Sequence, residues 1–166
     1  MVRVESILEM VPALGIIVAL VYYIMTLRYT TKARQREVIF LRSQSYRMEY
    51  ARAYASIVTQ VDWEDPDDWF EKYGRFTNPE AFSNFLYIMN TFNFAGVLLK
   101  EKEADPDLIF KLYPPNAVIP IWEHFEPLIR YIRDNHRYSE YLKPFESLYK
   151  EAKKKYPEIP PLRSVI

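Results

Sequence analysis

Residues 10–27 read MVPALGIIVALVYYIMTL, eighteen positions without a charge. As a helix this run is about 27 Å long, close to the roughly 30 Å hydrocarbon core of a bilayer. Nine of its residues are Val, Ile or Leu, each contributing about 0.3–0.6 kcal/mol toward insertion. Pro12 falls in the first turn, where a missing N–H costs little. Tyr22, Tyr23 and Tyr29 suit the interfacial end. The alternatives are a buried core helix and a cleavable signal peptide. The second wants a positive n-region and a small-residue cleavage site, whereas Arg3, Glu5 and Glu9 precede the run and no such site follows it. The reading is a membrane anchor.

The flanks give the anchor a direction. Residues 1–27 carry one basic and two acidic side chains, and residues 28–61 carry seven basic and two acidic. The positive-inside rule then places the N-terminus outside and the rest in the cytoplasm of a single-pass protein. Arg28, Lys32, Arg34 and Arg36 form a basic exit that suits anionic head groups, at roughly 1 kcal/mol per residue near the surface. The same charges also suffice to set topology alone. Gly15 and Ala19 make one small-xxx-small pair, which permits a homodimer through the membrane helix.

The rest reads as globular and all-helical. The chain has 166 residues, 49% of them hydrophobic, so one domain is expected. Lys+Arg and Asp+Glu are both 22, which disfavours a nucleic-acid binder. There is no Cys, so disulfides, thiolate metal sites and a Cys nucleophile are excluded. Three glycines argue against a Gly-rich phosphate loop and a turn-rich sheet fold.

Between residues 28 and 61 there is neither Gly nor Pro, which predicts one long helix leaving the membrane. Ile39, Tyr46, Tyr50, Tyr54, Ile57 and Val61 lie on one face, with Leu41, Met48, Ala51, Ala55 and Val58 beside it, as a docking stripe. Asp65-Pro66, Asn78-Pro79 and Asp105-Pro106 each place a capping side chain before a proline at the first helical position. Asn116 is a further cap candidate. The predicted helices are 66–74, closed by Gly74, then 79–101, 106–113, 117–136 and 139–156. Pro127 should kink the fourth near Glu123. The tail after Pro157 is expected to be extended. The domain reading is an anchor over 1–28, a long basic juxtamembrane helix over 29–61, a helical body over 62–156 and a tail over 157–166. The fold class is all-α: a single transmembrane helix running into a long basic helix packed on a compact bundle of about five shorter helices.

Catalytic signatures are scarce. His124 and His136 are twelve positions apart, about 120° around a helix, and no HExxH is present. Glu123, His124 and Glu126 read as a solvated face. Asp62, Glu64, Asp65, Asp67, Asp68 and Glu71 read as a solvated turn complementing a helix dipole, with a partner for the basic stalk or a divalent cation as alternatives. Asn90 and Asn93 sit among Phe82, Phe85, Met89 and Phe92, as buried cross-links or ligand contacts. Trp63, Trp69 and Trp122 look like core fillers. No metal or cofactor is expected.

Three stretches carry a resemblance: YYIMTLRYTTKARQ, FLYIMNTFNFAGVLLKEKEADPDLIFKLY and IWEHFEPLIRYIRD. They resemble a prokaryotic family catalogued as a domain of unknown function, whose members have one N-terminal membrane helix, a long basic helix and a compact helical body. Asn90, Gly96, Asp107, Trp122, Pro127 and Arg133 stand at that family's marked positions. Asn93 departs, standing where an acidic residue is expected. The resemblance implies topology and fold, and no catalytic residues.

The expected function is a membrane-tethered, non-enzymatic helical module that binds another protein as scaffold, regulator or accessory subunit. The alternative is a membrane-anchored ligand sensor or enzyme with a pocket between helices 79–101 and 117–136, lined by Asn90, Asn93, Trp122, His124 and Arg133.

Overall fold

A computed structural model describes residues 14–30, 33, 47–135 and 138–162. The chain divides into two compact units, Met1–Arg42 and Ser43–Ile166.

In the first unit, residues 14–30 form helix α1, and each of them is exposed. Thr30 Oγ1 donates to the carbonyls of Thr26 and Leu27, both at 3.0 Å. Among the described residues, no helix is long and apolar enough to cross a membrane. The run predicted to span starts at Met10, and residues 10–13 lie outside the described residues. So do the basic positions Lys32, Arg34 and Arg36, whereas Arg28 is an exposed residue of α1. Much of the predicted juxtamembrane helix, including Ile39, Leu41 and Tyr46, also falls outside them.

The second unit contains α2 (Arg47–Gln60), α3 (Pro66–Tyr73), α4 (Pro79–Lys100), α5 (Pro106–Leu112), α6 (Pro115–Asn135) and α7 (Lys143–Lys155). The described residues contain no strand. Three helix starts follow local chemistry. Asp65 Oδ1 accepts from Asp68 N at 2.9 Å, Asn78 Oδ1 from Ala81 N at 3.1 Å, and Asp105 Oδ1 from Asp107 N at 2.8 Å, each followed by Pro in the first turn. Each cap satisfies a donor the helix leaves open, worth about 1 kcal/mol.

The centre of this unit is α4, which packs chiefly on α7 and α2, with α6 closing against α7. Its buried face is Phe85, Ile88, Met89, Phe92, Ala95 and Gly96, the spacing of one helical stripe. From α2, Ala53 and Ile57 are buried, with Tyr50 and Tyr54 half-buried beside them. Met48, Ala51 and Ala55 of the predicted docking stripe face outward, because α4 covers a narrower arc than the apolar pattern suggested. Ring contacts run through the core, from Trp69–Phe85 (4.8 Å) to Phe85–Phe125 (5.1 Å), and from Phe92–Phe145 (5.1 Å) to Phe145–Trp122 (5.0 Å). Burial of such side chains contributes about 1.5–3 kcal/mol each.

Two helix starts differ from expectation. Asn116 lies inside the first turn of α6 rather than capping it, since the helix already begins at Pro115. The α6 helix continues through both Pro120 and Pro127, so neither ends it. The last helix begins at Lys143 instead of 139. Pro144 falls in the first turn, where its missing N–H costs little, and Leu142 adopts a left-handed φ of 54° without a side-chain cap. The open donor of Phe145 is met from outside, by Asn93 Oδ1 at 3.3 Å. Gly96 makes this approach possible, because a Cβ there would collide with the carbonyl of Pro144. After α7 the chain is non-helical through 161, and Leu162 is buried.

Candidate functional site

Most of the polar side chains singled out by sequence are tied to one another. His124 is half-buried on α6, and its Nε2 accepts the indole N–H of Trp63 at 3.0 Å. That bond requires Nε2 to be unprotonated. His136 lies outside the described residues. Glu123 accepts from the Tyr149 hydroxyl at 3.2 Å and pairs with Lys153 at 2.9 Å. Glu126 pairs with Arg130 at 2.7 Å. The face expected to be solvated is therefore half-buried, because α7 and the segment around Trp63 lie against it. A cleft of about 410 Å³ opens here, lined by Trp63, Glu64, Asp65, Glu123, His124 and Leu162, among others.

The acidic turn is likewise used internally. Asp68 accepts from Lys72 at 2.8 Å and from the backbone N–H of Glu64 at 3.0 Å, and these bonds hold its carboxyl below the usual range. Asp67 accepts from the Tyr131 hydroxyl at 3.1 Å, which raises that phenol. Among the described residues, no grouping of His, Asp and Glu is arranged to hold a metal ion.

A second cluster surrounds the start of α7. Arg133 Nε donates to the Tyr141 carbonyl at 2.8 Å and Nη1 to Glu146 Oε2 at 2.7 Å, while its guanidinium lies 5.9 Å from the Trp122 ring. Its Nη2 is buried without a partner. Trp122 packs on Phe145 and Tyr149. Asn93, Trp122 and Arg133 thus meet around Phe145, where they hold helices together. Asn90 is exposed. His124 belongs to the other cleft, so the five residues expected to line one pocket do not converge.

A cleft nevertheless lies between α3, α4 and the end of α6. It measures about 490 Å³ and is lined by Trp69, Phe70, Phe82, Phe85, Leu86 and Ile132, together with Arg75, Tyr138 and Tyr141. Trp69 is 1% exposed and its indole N–H has no acceptor. Arg75 is exposed, with its guanidinium 4.8 Å from the Phe76 ring. No carboxylate pairs with it among the described residues. None of the five predicted pocket residues lines this cleft. Sequence reading placed Trp69, Phe82 and Phe85 among core aromatics, and Arg75 carried no periodic or motif signal.

Compared with known proteins, residues 9–152 match a family described as a domain of unknown function (DUF4760). No curated protein and no solved structure matches the chain.

Proposed function

We propose that this chain, which belongs to the DUF4760 family, is a membrane-tethered, non-enzymatic helical module that binds another protein as scaffold, regulator or accessory subunit. The observation that carries the reading is α1. Leu14, Ile16, Ile17, Val18, Leu20, Val21 and Ile24 are each 48–67% exposed on it. A soluble protein rarely leaves so continuous an apolar surface to water. Bilayer hydrocarbon is the environment such a helix suits.

The proposed arrangement is one span, with the N-terminus outside and the helical body in the cytoplasm. Arg28, Lys32, Arg34 and Arg36 then stand at the inner surface, against anionic head groups. A Cβ at Gly15 would meet nothing within 4 Å beyond its own helix backbone, leaving room for a second copy's helix. The body supports a binding rather than a catalytic role, since Glu123, His124 and Arg133 are all engaged in links between segments of the fold.

The absence of Cys makes the topology directly testable. Single Ser6→Cys and Ser139→Cys variants are labelled in intact cells with a membrane-impermeant maleimide. The expected result is labelling of the first, and of the second only after permeabilisation. Release of the protein by alkaline carbonate overturns the tether. The full-length protein purified from its own membrane in mild detergent is expected to carry a stoichiometric second protein. A partner-free monomer or homodimer by light scattering overturns the accessory role.

A further inference from the structure

We propose that the cleft between α3, α4 and the end of α6 binds an amphiphilic monocarboxylate, with its apolar body among the aromatic rings and its carboxylate on Arg75. The cleft is lined wholly by residues of the Ser43–Ile166 unit, so the inference does not depend on the membrane tether.

Two observations converge. The first is shape and lining: about 490 Å³ of space faced by Trp69, Phe82, Phe85 and Leu86, within the size range of small-molecule sites and apolar as they are. The second is charge. Among the lining residues Arg75 carries the only formal charge, and no carboxylate of the described residues neutralises it. Lys72, Arg130, Arg133, Lys150, Lys153 and Lys155 are each matched to an acidic side chain, as Arg75 is not. A guanidinium presents paired donors in a plane, which fit the two oxygens of a carboxylate.

The lining also selects against other ligands. A cation is repelled by Arg75, with no acidic lining residue to offset it. A fully apolar molecule leaves the guanidinium unmatched.

Octanoate, octanol and octylammonium serve as probes, titrated by calorimetry into the full-length protein in phosphatidylcholine nanodiscs, with empty discs as the blank. The expected result is one octanoate per chain, weaker binding of octanol and no binding of octylammonium. Arg75→Gln is expected to weaken octanoate about ten-fold or more, the loss of one charge-assisted pair, and to leave octanol unchanged. Arg75 is exposed and unpaired, so this variant keeps the fold. Leu86→Trp fills the cleft and is expected to abolish both ligands, with folding checked by circular dichroism. The proposal is overturned if octanoate fails to bind, if octanol binds as tightly, if Arg75→Gln changes nothing, or if octanoate still binds a folded Leu86→Trp.

Discussion

Arg133 of α6 reaches Glu146 in the first turn of α7, Nη1 to Oε2 at 2.7 Å, with the two side chains 13% and 20% exposed. Glu146 also accepts from Lys150 at 2.7 Å. Replacing Glu146 with Gln preserves shape and removes the charge, leaving Arg133 enclosed against Trp122 without its counter-ion. The expected loss is about 1–3 kcal/mol, between the values for an exposed and a fully buried pair. Urea denaturation checks it as a lower midpoint at unchanged slope.

The same carboxylate gives the fold an acid dependence. Burial pushes Glu146 up, but the hydrogen bonds from Lys150 and Arg133, with their charges, outweigh it and bring the carboxyl to about 2. A value lower folded than unfolded contributes stability that is fully present above the ordinary glutamate pKa of about 4.3 and is lost as pH falls toward the folded one. Asp68 and Asp107, also held low, act in the same direction. The contribution of Glu146 therefore appears as a difference. The stability gap between wild type and Glu146→Gln should be constant above about pH 5 and shrink toward pH 2. A gap that stays constant on acidification counts against this account.

Gly96→Ala reverses the usual effect of alanine in a helix. At an open position the change stabilises by about 0.8–1 kcal/mol. At Gly96 the new methyl collides with the Pro144 carbonyl, so α7 must move. The expected result is destabilisation by about 1–3 kcal/mol, as for other overpacked sites. Thermal unfolding measures it, with Ser83→Ala on the exposed face of α4 as the near-neutral control.

His124→Phe removes the acceptor that Trp63 uses at 3.0 Å. Trp63 is only 5% exposed, so water does not readily replace the imidazole. A loss of about 1–3 kcal/mol is expected in denaturant titration. His124→Gln retains an acceptor and should lose less.

What was legible in the sequence was local. Asp65-Pro66, Asn78-Pro79 and Asp105-Pro106 mark helix starts because cap and proline act within four residues of each other. The core tryptophans were equally readable, as Trp63, Trp69 and Trp122 are all buried. The start of α7 was not. Tyr141, Leu142 and Phe145 continue an apolar period across the boundary, while the break comes at a left-handed Leu142. The sites were least legible, since a pocket depends on which side chains converge. Asn93, Trp122 and Arg133 met as packing around Phe145. The cleft instead gathered Arg75, Trp69, Leu86 and Ile132 from separate elements, with no shared spacing to announce them.

The hydrogen bond from Phe145 to Asn93 has a bearing on the order in which the molecule assembles. α7 lacks a capping side chain of its own, and short helices are marginal in water because nucleation is costly. The instruction to begin this helix is held 52 positions upstream, on α4. The α7 segment should therefore be unstructured as an isolated peptide and become helical only as it docks. Its coil-to-helix transition and its association with α4 are one event, which ties the end of the body to its centre in a single cooperative step.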